Sequence, residues 1–210
     1  MKNLSRLSHL NSAFVVTVLA VIGCVPSAPE PEYTATQFTK VDERGITLAL
    51  DQGPWRCIHD KKTGLTWEVK QPNETPQFVL STHSWFDGTL GTANEGSCAE
   101  DNVNLPFVRY FGCDTQDLID HLNSTKLCAK NQWRLPRAEE LSAISLTHTL
   151  PGMSRLSSSL FPYIGKGLYW TSDARRTTNG ETRYFAMHLH TNESQWLASS
   201  QVAYTLAVSD

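Results

Sequence analysis

Cys57-Ile-His-Asp-Lys-Lys-Thr-Gly-Leu-Thr-Trp-Glu68 decides the fold class. Asp60-Lys-Lys-Thr-Gly64 is a turn, because Gly64 reaches the positive φ that such turns need. Trp55 to Ile58 before it and Leu65 to Val69 after it read as strands, and alternation places Leu65, Trp67 and Val69 on one face. The unit is therefore strand, turn, strand.

Working outward, Arg44-Gly-Ile-Thr-Leu-Ala-Leu50 predicts a short preceding strand. Two helices follow. Asp114 is an N-cap for Thr115-Gln-Asp-Leu-Ile-Asp-His-Leu122, with Leu118, Ile119 and Leu122 on one side. Pro136 suits the first turn of a helix over 136–146, whose Glu139 and Glu140 favour its positive amino end. Leu141 and Ile144 face inward, with Ala138 a further candidate. Beyond Pro151 the chain returns to strands. Gly167 to Ser172 and Arg183 to His190 flank a turn at Asn179-Gly180, and Asn192-Glu193-Ser194 turns the next hairpin. Tyr204 to Val208 closes the sheet. The expected fold is a single α+β domain of small antiparallel sheets with two short helices.

The amino end reads as an address. Lys2, Arg6 and His9 precede a ten-residue apolar run, Ala13 to Ile22, too short for a permanent span and shaped like a secretory signal. The run ends in Val21-Ile22-Gly23-Cys24, which resembles the bacterial lipobox; the resemblance makes Cys24 the lipidated first residue of the mature chain. Acyl chains contribute about 0.8 kcal/mol per buried methylene, so several of them anchor a protein without a span. Val25 stands where Asp is associated with inner-membrane retention, which points to the outer membrane, facing either the periplasm or the cell surface. Residues 24–40 are Pro-rich and read as a tether, with residues 41–210 as the domain. Loss of residues 1–23, with Lys2, Arg6 and no acid, takes the net charge from −3 to −5. That acidity excludes a basic nucleic-acid binder.

Four cysteines remain: Cys57, Cys98, Cys113 and Cys128. In an exported chain an even number pairs, here in one of three ways. Zinc is disfavoured because no two of them are closer than 15 positions. The loop from Asp87 to Asn104 is polar and Gly-rich and builds no core of its own; a Cys98–Cys113 bridge staples it, and Cys57–Cys128 follows by elimination.

The motifs carry a resemblance. Asp60-Lys-Lys-Thr-Gly-Leu-Thr-Trp-Glu68, then Cys113-Asp-Thr with its helix, Leu127-Cys128 and Trp133-Arg-Leu-Pro-Arg-Ala-Glu-Glu-Leu141, then Phe161-Pro162 and Tyr169-Trp-Thr-Ser172, stand in the order of the Lcl C-terminal-domain family of bacterial extracellular proteins. The resemblance implies a C-type lectin-like fold and, from the family's named member, an adhesin that binds sulfated glycans and trimerises. Here Tyr204-Thr-Leu-Ala-Val208 replaces the family's Val-Arg-x-Val-Arg strand, and a charge of −5 works against long-range attraction of a polyanion.

Most motif residues read as architecture: Trp67, Trp133 and Trp170 as core, and Arg134 as a structural bridge. The ligand-binding candidates are Arg175, Arg176, Arg183 and Tyr184, because three guanidinium groups gather at one hairpin end and such groups hold carboxylate or sulfate in a bidentate way. His188 and His190 share a strand face but have no third ligand, and Glu95 to Asn104 lacks the spacing of a calcium loop. No nucleophile elbow, zinc-protease motif or phosphate loop is present, and the cysteines read as structural. The expected function is non-catalytic, with no cofactor: a carbohydrate- or matrix-binding lipoprotein, or alternatively an accessory docking onto an envelope protein assembly. The membrane is met through the lipid anchor, and homo-oligomerisation stays open.

Overall fold

A computed structural model describes residues 37–72, 77–99, 110–145 and 159–210. In chain order the elements are β1 (Phe38–Val41), β2 (Thr47–Leu48), β3 (Cys57–Asp60), β4 (Thr66–Glu68), β5 (His83–Ser84), β6 (Cys98–Ala99) and β7 (Tyr110–Phe111). Then come α1 (Thr115–Thr125), a 3-10 turn at Leu127–Ala129, β8 (Trp133–Arg134), α2 (Ala138–Ile144), β9 (Leu168–Arg176), β10 (Thr182–His188), β11 (Ser194–Leu197), β12 (Val202–Ala203) and β13 (Val208–Ser209). The domain is α+β. Among the described residues no helix is long and apolar enough to cross a membrane.

The central sheet has strand order β2-β1-β3-β4-β13-β8. The turn between β3 and β4 forms as its residues require. Gly64 sits at φ +77°, and the Asp60 carboxylate accepts from the Lys62 amide and the Thr63 hydroxyl, each at 2.9 Å. Leu65, Trp67 and Val69 all enter one core cluster, with Ile58, Val208, Leu141 and Ile144 of α2, and Tyr169 and Met187 of β9 and β10. On the other face Val41, Cys57 and Trp133 meet Leu118, Ile119 and Leu122 of α1. The sheet is thus covered on both sides, which explains why its short strands carry large apolar residues.

The two halves of the chain are bridged covalently. Cys57 is joined to Cys128, 71 residues apart, and Cys98 to Cys113, 15 apart. The sheet begins earlier than the sequence suggests. Phe38 to Lys40, expected in the tether, belong to β1, because Phe38 buries against the Ile58–Trp67 core once β1 pairs with β3. The expected strand over 44–50 contracts to Thr47–Leu48.

α1 carries a capping box: Asp114 accepts from the Gln116 and Asp117 amides, and Asp117 accepts from the Asp114 amide. α2 starts two residues later than expected. The Ala138 amide is capped by the Asp173 carboxylate of β9 at 2.7 Å, and the Pro136 carbonyl is taken by the Ser172 amide.

β9, β10 and β11 form a second antiparallel sheet in the order β11-β10-β9. One of its faces joins the central core through Tyr169 and Met187. The other, with Trp170, Tyr184, Ala186 and Leu197, packs on Trp85, Leu135 and Ala203.

Candidate functional site

The central motif is built for rigidity. Arg134 donates twice to Glu140, at 2.8 and 2.9 Å, and once to Asp210 at 2.8 Å, tying β8 to α2 and to the last residue. Burial raises the Glu140 pKa, but the Arg134 hydrogen bond, the Arg137 amide and the charges of both arginines together hold the carboxyl below its ordinary value. Trp67, Trp133 and Trp170 are all buried. Glu68 is fully buried, paired with Lys70 and accepting from the Ala207 amide. These groups serve the scaffold.

The hairpin of β9 and β10 divides the four sequence candidates between two faces. Arg183 lies opposite Arg175, and Tyr184 opposite Ala174. Alternation therefore puts Arg175 and Arg183 on one side, and Arg176 and Tyr184 on the other. Tyr184 is buried and stacks on Trp85 with ring centroids 3.7 Å apart; burial, then the charge of Asp87, pushes its phenol pKa up. Arg176 turns back to the tip, donating to the Gly180 carbonyl at 3.2 Å.

Arg175 and Arg183 share their face with two aromatics that sequence reasoning missed. Phe185 lies opposite Trp196 of β11, and their rings meet edge to face at 5.0 Å. The Arg175 guanidinium carbon lies 4.4 Å over the Trp196 ring, a cation–π contact that holds the cation while leaving its edge free. Arg183 pairs with Glu181 at 2.7 Å. The result is a half-buried aromatic platform carrying one guanidinium stacked in place and a second partly neutralised.

A second surface is a groove of about 640 Å³ on the sheet face beyond α1. Lys61, Lys130 and His59 line it together with the hydroxyls of Thr39, Thr47 and Thr66. His59 meets Thr66 at 3.2 Å, and Lys130 donates to the Asp210 carbonyl at 2.7 Å.

The metal candidates resolve into structural groups. His83 lies with Cys98 and Cys113 in a cluster of metal-ligand type, but the two sulfurs are bonded to each other. His83 is fully buried, and burial followed by the charge of Lys70 pushes its pKa down to about 3. His188 and His190 meet edge to face at 5.5 Å, and the His190 amide donates to His188 Nδ1, occupying one of the available lone pairs. Burial, His188 and Lys166 lower the His190 pKa. The acidic loop falls partly outside the described residues, as does Cys24.

A family model, the Lcl C-terminal domain, matches residues 56–209. No curated protein and no solved structure matches the chain significantly.

Proposed function

This chain belongs to the Lcl C-terminal domain family, an extracellular domain of bacterial surface proteins, and from that premise we propose that it is an outer-membrane lipoprotein whose domain binds carbohydrate or matrix without catalysis. Cys24 carries the lipid, residues 25–36 hold the domain off the bilayer, and the hairpin face of Arg175, Arg183, Phe185 and Trp196 meets the glycan. One observation carries this reading: Arg175, itself exposed, is stacked on the half-buried ring of Trp196 beside Phe185. A flat apolar ring faces the C–H side of a sugar, and a preset guanidinium takes a carboxylate or sulfate on it. Such binding is local, so it works in a chain whose net charge is −3, or −5 once residues 1–23 are removed.

The test is a glycan array with the purified full chain at two salt concentrations. Binding that weakens with salt and is lost in Arg175→Ala plus Arg183→Ala supports the reading. A blank array from protein with both disulfides formed overturns it.

The acidic charge and the absence of arginine from Tyr204 to Val208 favour a second reading, an accessory that docks onto an envelope assembly. Protease shaving of intact cells separates the two: a domain protected in the periplasm counts against the adhesin, and crosslinking in cells then identifies the partner.

A further inference from the structure

Beneath the Trp85–Tyr184 stack lies a separate pocket of about 310 Å³, between the loop after β5, the first turns of α1 and the segment joining β8 to α2. Its apolar lining comes from Phe86, which is half-buried, and from the edges of Trp85, Ile119 and Leu135, which are buried. Trp85 is fixed from three sides. Its indole N–H donates to the Thr171 carbonyl at 2.9 Å, Tyr184 covers one ring face, and its amide donates to the Ser199 carbonyl.

The walls carry polar groups with capacity to spare. Asp87 accepts from the Thr89 and Leu90 amides through Oδ1 alone, leaving Oδ2 as an acceptor. Gln116 donates to Asp120, which leaves its carbonyl oxygen. Ser172 spends its amide on Pro136 and keeps its hydroxyl on an exposed residue. Arg137 is two-thirds exposed and has only a long 3.6 Å ion pair with Glu139. Arg134 also borders the pocket, but its charge is taken up by Glu140 and Asp210.

Charge then sorts the ligands. The carboxylate of Asp87 offsets the guanidinium of Arg137, which Glu139 already partly neutralises, so the pocket holds neither an anion nor a cation strongly. What remains is one pure acceptor, one pure donor, a carbonyl oxygen and a hydroxyl beside an apolar lining. That set matches a ring that carries several hydroxyls, each both donor and acceptor, and one C–H face. We propose that this pocket binds a single uncharged pyranose residue, with Asp87, Gln116, Arg137 and Ser172 holding its hydroxyls and the apolar lining meeting its C–H side. The ligand class rests on the glycan-binding reading above; the site does not overlap the hairpin platform.

The experiment is saturation-transfer NMR on the purified full chain with glucose, galactose, mannose and N-acetylglucosamine at millimolar concentration, with glucuronate and serine as charged and zwitterionic controls. At least one neutral sugar is expected to receive saturation in preference to both controls. Its affinity should fall about tenfold in Asp87→Asn and in Arg137→Ala, the cost of losing one charge-assisted hydrogen bond. Gln116→Trp, at a half-buried helix position beside Gly88 of the Asp87 turn, fills the pocket and should abolish the signal. Arg175→Ala plus Arg183→Ala should leave it unchanged. Transfer to glucuronate or serine but to no neutral sugar overturns the proposal, as does neutral-sugar binding that survives Gln116→Trp. Neutral-sugar binding lost only with the hairpin variant also overturns it while keeping the glycan reading. No binding of any sugar, here or on the array, removes both.

Discussion

In the central sheet, rigidity comes from side chains: Ile58, Trp67 and Val208 packed on α2, Cys57 on α1, and Arg134 forked onto Glu140. In the stretch from residue 77 to Cys113 the described segments pack backbone on backbone around buried polar groups. His83 and Ser84 are fully buried, the Gly96 amide donates to the Cys113 carbonyl, and Ser97 and Thr82 exchange amide–carbonyl bonds. The first region uses apolar area, which stabilises in proportion to its size. The second buries one large side chain, Trp85, and otherwise relies on fixed chain geometry, so it is sensitive to a small backbone error.

The disulfides give the largest contrast. In the chain-entropy model a bridge over 71 residues restricts the unfolded chain more than one over 15, at about 4 against about 3 kcal/mol. Cys57→Ser plus Cys128→Ser should therefore lower global stability most in urea unfolding. Cys98→Ser plus Cys113→Ser costs less globally but should speed hydrogen exchange in residues 82–99 while the central sheet stays protected. Equal exchange across both regions after the second change would break the comparison.

Two glycines sharpen it. A Cβ on Gly96 would fall on the carbonyl oxygens of Thr82 and Cys113, which are backbone and cannot step aside. Gly96→Ala should cost about 3 kcal/mol, at the upper end of overpacking. At Gly64 a Cβ meets nothing within 4 Å, and only the positive φ is strained. Gly64→Ala should cost about 1 kcal/mol. Thermal unfolding of the two variants measures the difference.

Much of the sheet could be read from local patterns, since the Asp60–Gly64 turn and the Asp114 cap use neighbours in sequence. The start of α2 could not, because the group that caps Ala138 is Asp173, 35 residues away. Phe38 looked like tether because only pairing with β3 gives it a core to enter. At the hairpin, the proximity of the three arginines follows from the Asn179-Gly180 turn, but their division between faces depends on the register of β9 against β10. Trp196 becomes part of the site only through the pairing of β10 with β11, which no short motif announces. The pocket under Trp85 joins three separate segments and has no sequence signature at all.

The buried imidazole of His83 makes the weaker region sensitive to pH, and the sign can be worked out. In the unfolded chain a histidine titrates near 6.5, whereas in the fold burial and the charge of Lys70 push His83 down to about 3. Above pH 6.5 both states are neutral, and His83 adds no pH dependence. Between about 6.5 and 3 the unfolded chain binds a proton that the native state refuses, so stability falls as the pH drops. The slope approaches 1.4 kcal/mol per pH unit, which makes about 2 kcal/mol between pH 7 and pH 5. Urea unfolding at those two pH values should show the loss in the wild-type chain and a smaller one in His83→Gln, which keeps a polar side chain but cannot titrate. A variant with the same pH dependence as the wild type would mean that His83 takes up its proton without leaving the fold. The backbone around His83, from residue 77 to Ala99, would then be looser than its packing implies.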